Sequence, residues 1–259
     1  MIETFLRAAH RRPACKTIKA IVQKPAWVAY FIFAPDGILS ATHRFTLARL
    51  KDTGLSLLVV CACPDVHRIP ADLPGYCDAL LWKGMAGHDF SAYTLALREI
   101  CKHSPGANVI VQNDSVFGPF TDLRKISENS RWDLTGFTAS GQMTNHIQSY
   151  AFCLKQVDRI KMARLSPIFF PAFAFSDPQA VVYLQELRMA RVAARSMKVG
   201  ALWFSDIKQV LDPTLVRPME LLEAGFPYLK RSLITKHKSY MERERVFERL
   251  ERYGHPLDI

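Results

Sequence analysis

Three small polar residues, Asn113-Asp114-Ser115, follow directly on the apolar, β-branched run 108–112 and precede Gly118-Pro119, the pattern of a buried strand that ends in a turn. Open α/β sheets bind ligands in the crevice outside the carboxyl ends of their strands, so a carboxylate placed there can reach a phosphate-bound metal or a sugar hydroxyl. The same three residues are also ordinary turn formers. Two more carboxylates have comparable settings. Asp36 lies in Pro35-Asp36-Gly37 after the apolar run 26–34, with Ala34 at the end of that run. Asp89 closes the stretch Gly84-Met85-Ala86-Gly87-His88-Asp89, whose glycines let backbone approach a ligand, and it either caps the next helix or accepts hydrogen bonds from a ribose or sugar. His146, Gln148 and Ser149 open a further strand-like run. Glu186 stands near Arg188 and Arg191 in a helical pattern, where a carboxylate is ordinarily a surface partner.

These residues need a scaffold that gathers strand ends. Apolar runs at 26–34, 55–62, 77–82 and 109–112 predict buried strands, and helical patterns at 40–52 and 91–103 alternate with them. Further strands are expected at 133–139 and 146–154, and alternation along the latter puts His146 and Gln148 on one side. The segment 177–199 predicts one long helix stopped by Gly200. Repeated β-α-β units, whose crossover helices make neighbouring strands parallel, argue for an α/β domain with a mostly parallel central sheet and a helical C-terminal part. Neither G-x-G-x-x-G nor G-x-x-x-x-G-K-S/T occurs, which counts against a dinucleotide oxidoreductase and a P-loop ATPase.

A chain of 259 residues with 49% apolar content can bury one large core, and no linker-like stretch divides it. The expected organisation is a basic N-terminal arm over 1–24, one domain over 25–235 and a helical extension over 236–259. The arm places Ile2, Phe5, Leu6 and Ala9 at helical spacing among arginines and lysines, which suits either packing on the domain or peripheral contact with an anionic membrane. A formal charge of +10 biases partners toward anions. The basic residues are dispersed and accompany no nucleic-acid motif, so no nucleic-acid partner is expected. Six scattered cysteines without a C-x-x-C pair suggest reduced thiols, and no run is long enough to span a membrane. Both point to a cytoplasmic site.

The motifs N-D-S-V-F-G-P at 113–119, H-I-Q-S-Y at 146–150, G-H-D-F at 87–90, D-L-T-G at 133–136, E-L-R-M at 186–189 and G-F-P-Y-L-K-R at 225–231 stand in one order over residues 25–235. In this the chain resembles the rhamnan synthesis protein F family, glycosyltransferases of bacterial surface-polysaccharide assembly with a GT-A-like, nucleotide-diphosphosugar transferase fold. The resemblance implies transfer of a sugar, rhamnose among the candidates, from a nucleotide-sugar donor to a growing, lipid-linked glycan on the inner face of the plasma membrane. A catalytically silent scaffold of the same fold is the alternative.

On that resemblance Ala34, Asp36, Asp89, Asn113, Asp114 and Ser115 are expected to line the donor pocket, with Gln148 and Ser149 on the acceptor or sugar. Many GT-A enzymes carry Asp-x-Asp where this chain has Asn113-Asp114-Ser115. Only Asp114 is therefore available to hold Mg²⁺ or Mn²⁺, and basic side chains are the other means of neutralising the leaving group. An inverting transfer also needs a base for the acceptor hydroxyl. Glu186 is the expected base, placed like the helix-start Glu-Asp of inverting GT-A enzymes but followed by Leu187, and His146 is the second candidate.

Overall fold

The computed structural model describes residues 9–204 and 212–257. Two short N-terminal strands, β1 (Ala9–Arg11) and β2 (Cys15–Lys19), precede β3 (Ala26–Phe33), α1 (Ala41–Asp52), β4 (Ser56–Ala62), β5 (Ala79–Lys83), α2 (Asp89–His103) and β6 (Ala107–Asn113). After a two-residue strand β7 (Val116–Phe117) come β8 (Leu134–Ser140), β9 (His146–Ile147), β10 (Ala151–Val157) and β11 (Phe173–Phe175). A helical stretch over 178–193 leads to β12 (Val199–Trp203) and β13 (Leu229–Lys230).

Most strands join one nine-stranded sheet of order β12-β8-β10-β6-β3-β4-β5-β2, with β9 paired to β8. The pairing directions make β3, β4, β5, β6, β8 and β12 run one way and β2, β9 and β10 the other. This is the expected α/β architecture with a mostly parallel central sheet. From β3 the chain moves outward through β4 and β5, then returns to place β6 on the other side of β3. Strand order reverses between β3 and β6, and the crevice at such a reversal is where open α/β sheets take ligands.

The apolar run of β3 is buried on both faces. Trp27, Ala29 and Phe31 pack with Phe90, Tyr93 and Leu97 of α2, while Val28, Tyr30 and Ile32 pack with Leu47 and Leu50 of α1. At about 1.5–3 kcal/mol per fully buried large side chain, this alternation fixes the register of the central strand and therefore where its carboxyl end lies. Ser40 caps α1 by accepting from His43 N, and the His43 ring accepts back from Ser40 N.

Several expectations need correcting. Residues 1–8 of the basic arm lie outside the described residues, and from Ala9 onward the arm is extended rather than helical. β1 pairs with β11, and β2 forms an edge of the main sheet beside β5, with Lys16 and Lys19 on that edge, as suits an edge that must stay unpaired. The run 146–154 is two strands, because the chain leaves β9 after Ile147 and enters β10 only at Ala151. The long helix ends at Ala193 and contains a wide turn over Val182–Glu186; Gly200 lies inside β12 instead of stopping a helix. A Cβ on Gly200 would come within 2.3 Å of the Trp132 ring, so close packing explains this glycine. Near the C-terminus, the helix Arg243–Arg252 buries Val246 and Leu250 against Phe117, Phe120 and Leu233, so it packs onto the domain.

Candidate functional site

Two clefts open where β3 and β6 end, and both are lined by Phe33 and Asp114. The larger, about 900 Å³, is bounded by Asp36, Ser40, His43, Ser115, Arg231 and Lys236 among others. The smaller, about 590 Å³, is bounded by Met85, His88, Asp89, Asn113, Val182 and Glu186 among others. Asp114 is thus the hinge of the site. Its Oδ2 accepts from Phe33 N at 2.8 Å and from His43 Nε2 at 3.2 Å. Because His43 Nδ1 accepts from Ser40 N, its proton sits on Nε2, and the capping box of α1 aims that proton at Asp114. Among the described residues Oδ1 has no hydrogen-bond partner and is the carboxylate oxygen left for a ligand.

The positioning of the larger cleft follows from the short pair β7–β13. This pairing sets Lys230 opposite Val116, directly after the β6 turn, and Arg231 N then donates to Ser115 O at 2.9 Å. The Arg231 guanidinium reaches the Asp114 carbonyl oxygen at 3.2 Å and lies over the Phe117 ring. Gly118 allows this close approach, since a Cβ there would meet Pro227 O at 2.5 Å, and its φ is +115°. Lys230 is committed elsewhere, at 2.9 Å from Asp212. Burial works against the Asp212 carboxylate, but Lys230, Thr214 and Gln148 together hold its pKa below the ordinary value.

The smaller cleft is carboxylate-rich. Asp89 is the first residue of α2, with His88 in the cap position, so the capping expectation gives way to a different arrangement. Its Oδ1 accepts from Phe90 N at 2.9 Å and its Oδ2 from Asn113 Nδ2 at 3.1 Å. Burial, then the nearby Glu186 charge, push its pKa up to about 6. Beneath the loop before it, the ammonium of buried Lys83 donates to the carbonyls of Gly84, Ala86 and Gly87, at 3.0, 2.9 and 3.4 Å. Burial lowers the Lys83 pKa to about 8, opposed by the charge of Asp89.

Glu186 closes the cleft from the wide helical turn. Its Oε2 accepts from Ser149 Oγ at 2.6 Å, and its Oε1 lies 3.7 Å from His146 Nε2, whose Nδ1 is bonded to Thr144 O. A surface carboxylate among arginines it is not: the side chain is 23% exposed and faces the cleft.

Asp36, Asp89, Asn113, Asp114, Ser115 and Glu186 therefore line the paired clefts. Four expected residues do not. Ala34 is 1% exposed and only ties strand ends together, donating its N–H to Ala62 O. Gln148 is buried, bonded to Thr138 Oγ1 at 2.6 Å, and so is not free to hold a sugar. Ser149 and His146 are also buried, and both serve Glu186. His146 and Gln148 part company because the strand that would have kept them on one side ends at Ile147. Asp36 and Asp89 occupy different clefts, joined only through Phe33 and Asp114.

Three side chains at the clefts carry little signal in the sequence. Arg231 appears there only as the end of a motif; Lys83 closes an apolar strand, an unusual place for a lysine; His43 stands out only by its position three after Ser40.

The expected divalent ion finds no ready seat. Among the described residues no group of three or more His, Cys, Asp or Glu side chains could hold a metal. Asn113 Oδ1 is taken by Ser115 N and Oγ, Asp114 Oδ2 by Phe33 and His43, and Arg231 stands beside the same turn. That donor set does not fit a metal held by the protein.

No protein-family model and no curated protein matches the chain. Among solved structures, 4-diphosphocytidyl-2C-methyl-D-erythritol synthase from Anaerococcus prevotii aligns over 73% of this chain and 93% of its own, at 13% identity and a TM-score of 0.44. HddC from Yersinia pseudotuberculosis aligns over 69% and 90%, at 10% identity and a TM-score of 0.38. The same protein in complex with GMP-PN aligns over 68% and 90%, at 10% identity and a TM-score of 0.35.

Proposed function

We propose that this chain is an inverting glycosyltransferase that uses a nucleotide-sugar donor, of the rhamnan-synthesis kind its motifs resemble. The observation that carries the reading is the polarity of the paired clefts: Lys230, Arg231 and Lys236 stand with Asp36 in one, Asp89 and Glu186 in the other, and Asp114 lies between them at the sheet's switch point. A nucleoside diphosphate suits the larger cleft, where Arg231, Lys236 and the amino end of α1 offer positive charge. The sugar then lies across Phe33 and Asp114, and the acceptor enters the smaller cleft.

In the reaction, the acceptor hydroxyl oxygen bonds to the anomeric carbon while the bond from that carbon to the diphosphate oxygen breaks. The electron pair leaves with the nucleoside diphosphate, and the hydroxyl proton passes to Glu186. Ser149 and His146 hold the Glu186 carboxylate in place, so the two candidate bases become one base and its support. Among the described residues no helix is long and apolar enough to cross a membrane. A lipid-linked acceptor would be met at a membrane surface, to which a charge of +10 favours attraction.

Thermal denaturation with a panel of nucleoside diphosphates and nucleotide sugars tests the donor. A true donor at about 100 times its Kd stabilises the fold by about 2.7 kcal/mol. Donor hydrolysis by the same protein tests the chemistry, and Glu186→Gln should slow it by ~10²–10⁴ with nucleotide affinity kept. Stabilisation without turnover under any acceptor would leave the silent scaffold as the function, and no stabilisation by any nucleotide would remove the donor-using enzyme.

A further inference from the structure

The larger cleft bears on how the leaving diphosphate is neutralised, an inference that rests on the donor reading above. A metal-dependent site needs protein oxygens free to face the ion, and Mg²⁺ ordinarily takes one or two carboxylates along with substrate phosphates and waters. Here the strand-end turn has used its oxygens internally. Asn113 Oδ1 accepts twice from Ser115, and Asp114 Oδ2 accepts from Phe33 N and His43 Nε2. Among the described residues, Asp114 Oδ1 is the one carboxylate oxygen of the turn without a hydrogen bond.

Cations line the same cleft as Asp114. Arg231 is fixed by the β7–β13 pair, by its own N–H on Ser115 O at 2.9 Å, and by its guanidinium on Asp114 O at 3.2 Å. The guanidinium rests on the backbone carbonyl of the residue whose carboxylate would hold the ion, so a divalent ion drawn to this turn would be repelled by a fixed positive charge of the same cleft. Lys236 lines the same cleft and is exposed, whereas Lys230 is spent on Asp212. A guanidinium presents donors in a rigid fork that matches phosphate oxygens, which is the geometry a metal otherwise supplies.

We propose that Arg231 and Lys236 take the place of a divalent ion, binding the donor diphosphate and stabilising it as it leaves. When the bond from anomeric carbon to diphosphate oxygen breaks, the electron pair stays on that oxygen and the two cations offset its charge. No proton or metal is consumed. Asp114 then serves to lock the ends of β3 and α1 to the β6 turn and to face the sugar, instead of acting as a metal ligand.

The test is isothermal titration of the full chain with inorganic pyrophosphate and with nucleoside diphosphates, once in excess EDTA and once in excess magnesium chloride. Binding of equal strength in both, to within about threefold, is expected. Lys236→Gln and Arg231→Gln should each weaken pyrophosphate by roughly ten- to hundredfold in EDTA, the span of a charged hydrogen bond. Lys236 is at the surface, so its variant tests the idea even if Arg231→Gln fails to fold. Binding that requires magnesium, with Lys236→Gln unchanged, overturns this inference and leaves the donor reading standing. If pyrophosphate and every nucleoside diphosphate fail to bind in both buffers, the donor reading is wrong and this inference falls with it.

Discussion

Asp89 offers the sharpest quantitative test of the site. Its pKa is raised from 3.8 to about 6, by burial first and by Glu186 second, a shift of about two units. At 1.36 kcal/mol per unit, holding the ionised group in the cleft costs about 3 kcal/mol. The sign is set by proton binding: between pH 4 and 6 the folded protein holds this proton more tightly than the unfolded chain. The group's contribution to stability is therefore fully present below about pH 4 and is lost as pH rises to about 6. Asp89→Asn removes the charge and keeps an oxygen for Phe90 N, at the risk of weakening the bond with Asn113, worth about 1 kcal/mol. Urea denaturation of both proteins across pH 4–8 should show the variant more stable by about 1–3 kcal/mol at pH 7.5, with the gap closing toward pH 4. A gap that does not change with pH, or a variant less stable at pH 7.5 than at pH 4 relative to the parent, would refute the burial of a strained carboxylate. Glu186→Gln should shift the parent's transition down only in part, since burial is the larger cause.

Other outcomes follow from the same geometry. Ser149→Ala removes the 2.6 Å bond to Glu186 Oε2 and should lower kcat roughly ten- to hundredfold with little change in donor affinity, read by steady-state kinetics. Lys83 binds its proton less tightly in the folded protein, with a pKa lowered to about 8 by burial, so parent stability should rise between pH 8 and 10.5, and Lys83→Met should abolish that rise. The same variant frees three carbonyls of the 84–87 loop, which hydrogen exchange should report as faster opening there. Gly200→Ala drives a methyl into the Trp132 ring and should cost about 1–3 kcal/mol in urea denaturation, with no pH dependence.

Periodicity made the parallel half of the sheet legible. The runs at 26–34, 55–62 and 109–112 are apolar on both faces because helices cover both sides of these strands, whereas a strand with one face in water would alternate apolar with polar residues. Asp36, Asp89 and Asp114 were readable for the same reason, since each follows a strand whose end must lie at the ligand edge. Beyond β8 the signal weakens. Strand β12 has every residue only partly buried, and its Gly200 looks like a helix stop unless Trp132 is known to press on it. The parting of His146 from Gln148 depends on a chain that leaves β9 after two residues, which alternation cannot reveal. Arg231 was unreadable because its role comes from the β7–β13 pairing, between residues more than a hundred positions apart.

That pairing also explains why the motifs 113–119 and 225–231 belong together physically. Gly118 lets the second segment approach, the two-residue ladder sets Lys230 opposite Val116, and the next residue, Arg231, falls on the backbone of Asp114. On the opposite side, α2 begins with Asp89 bonded to Asn113, and the wide turn at Val182–Glu186 puts Glu186 into the same cleft. The end of β6 and its two-residue turn, 113–115, are thus held from one side by a cation and from the other by a carboxylate, each brought by a different part of the chain. Transfer of a glycosyl group has the same asymmetry, because negative charge grows on the leaving diphosphate while a proton must leave the acceptor. A site with one polarity throughout could serve only one of those needs. In the proposed transfer, the cations toward Arg231 would face the leaving diphosphate and the carboxylate of Glu186 the acceptor, which would give that reaction its direction across the sheet edge.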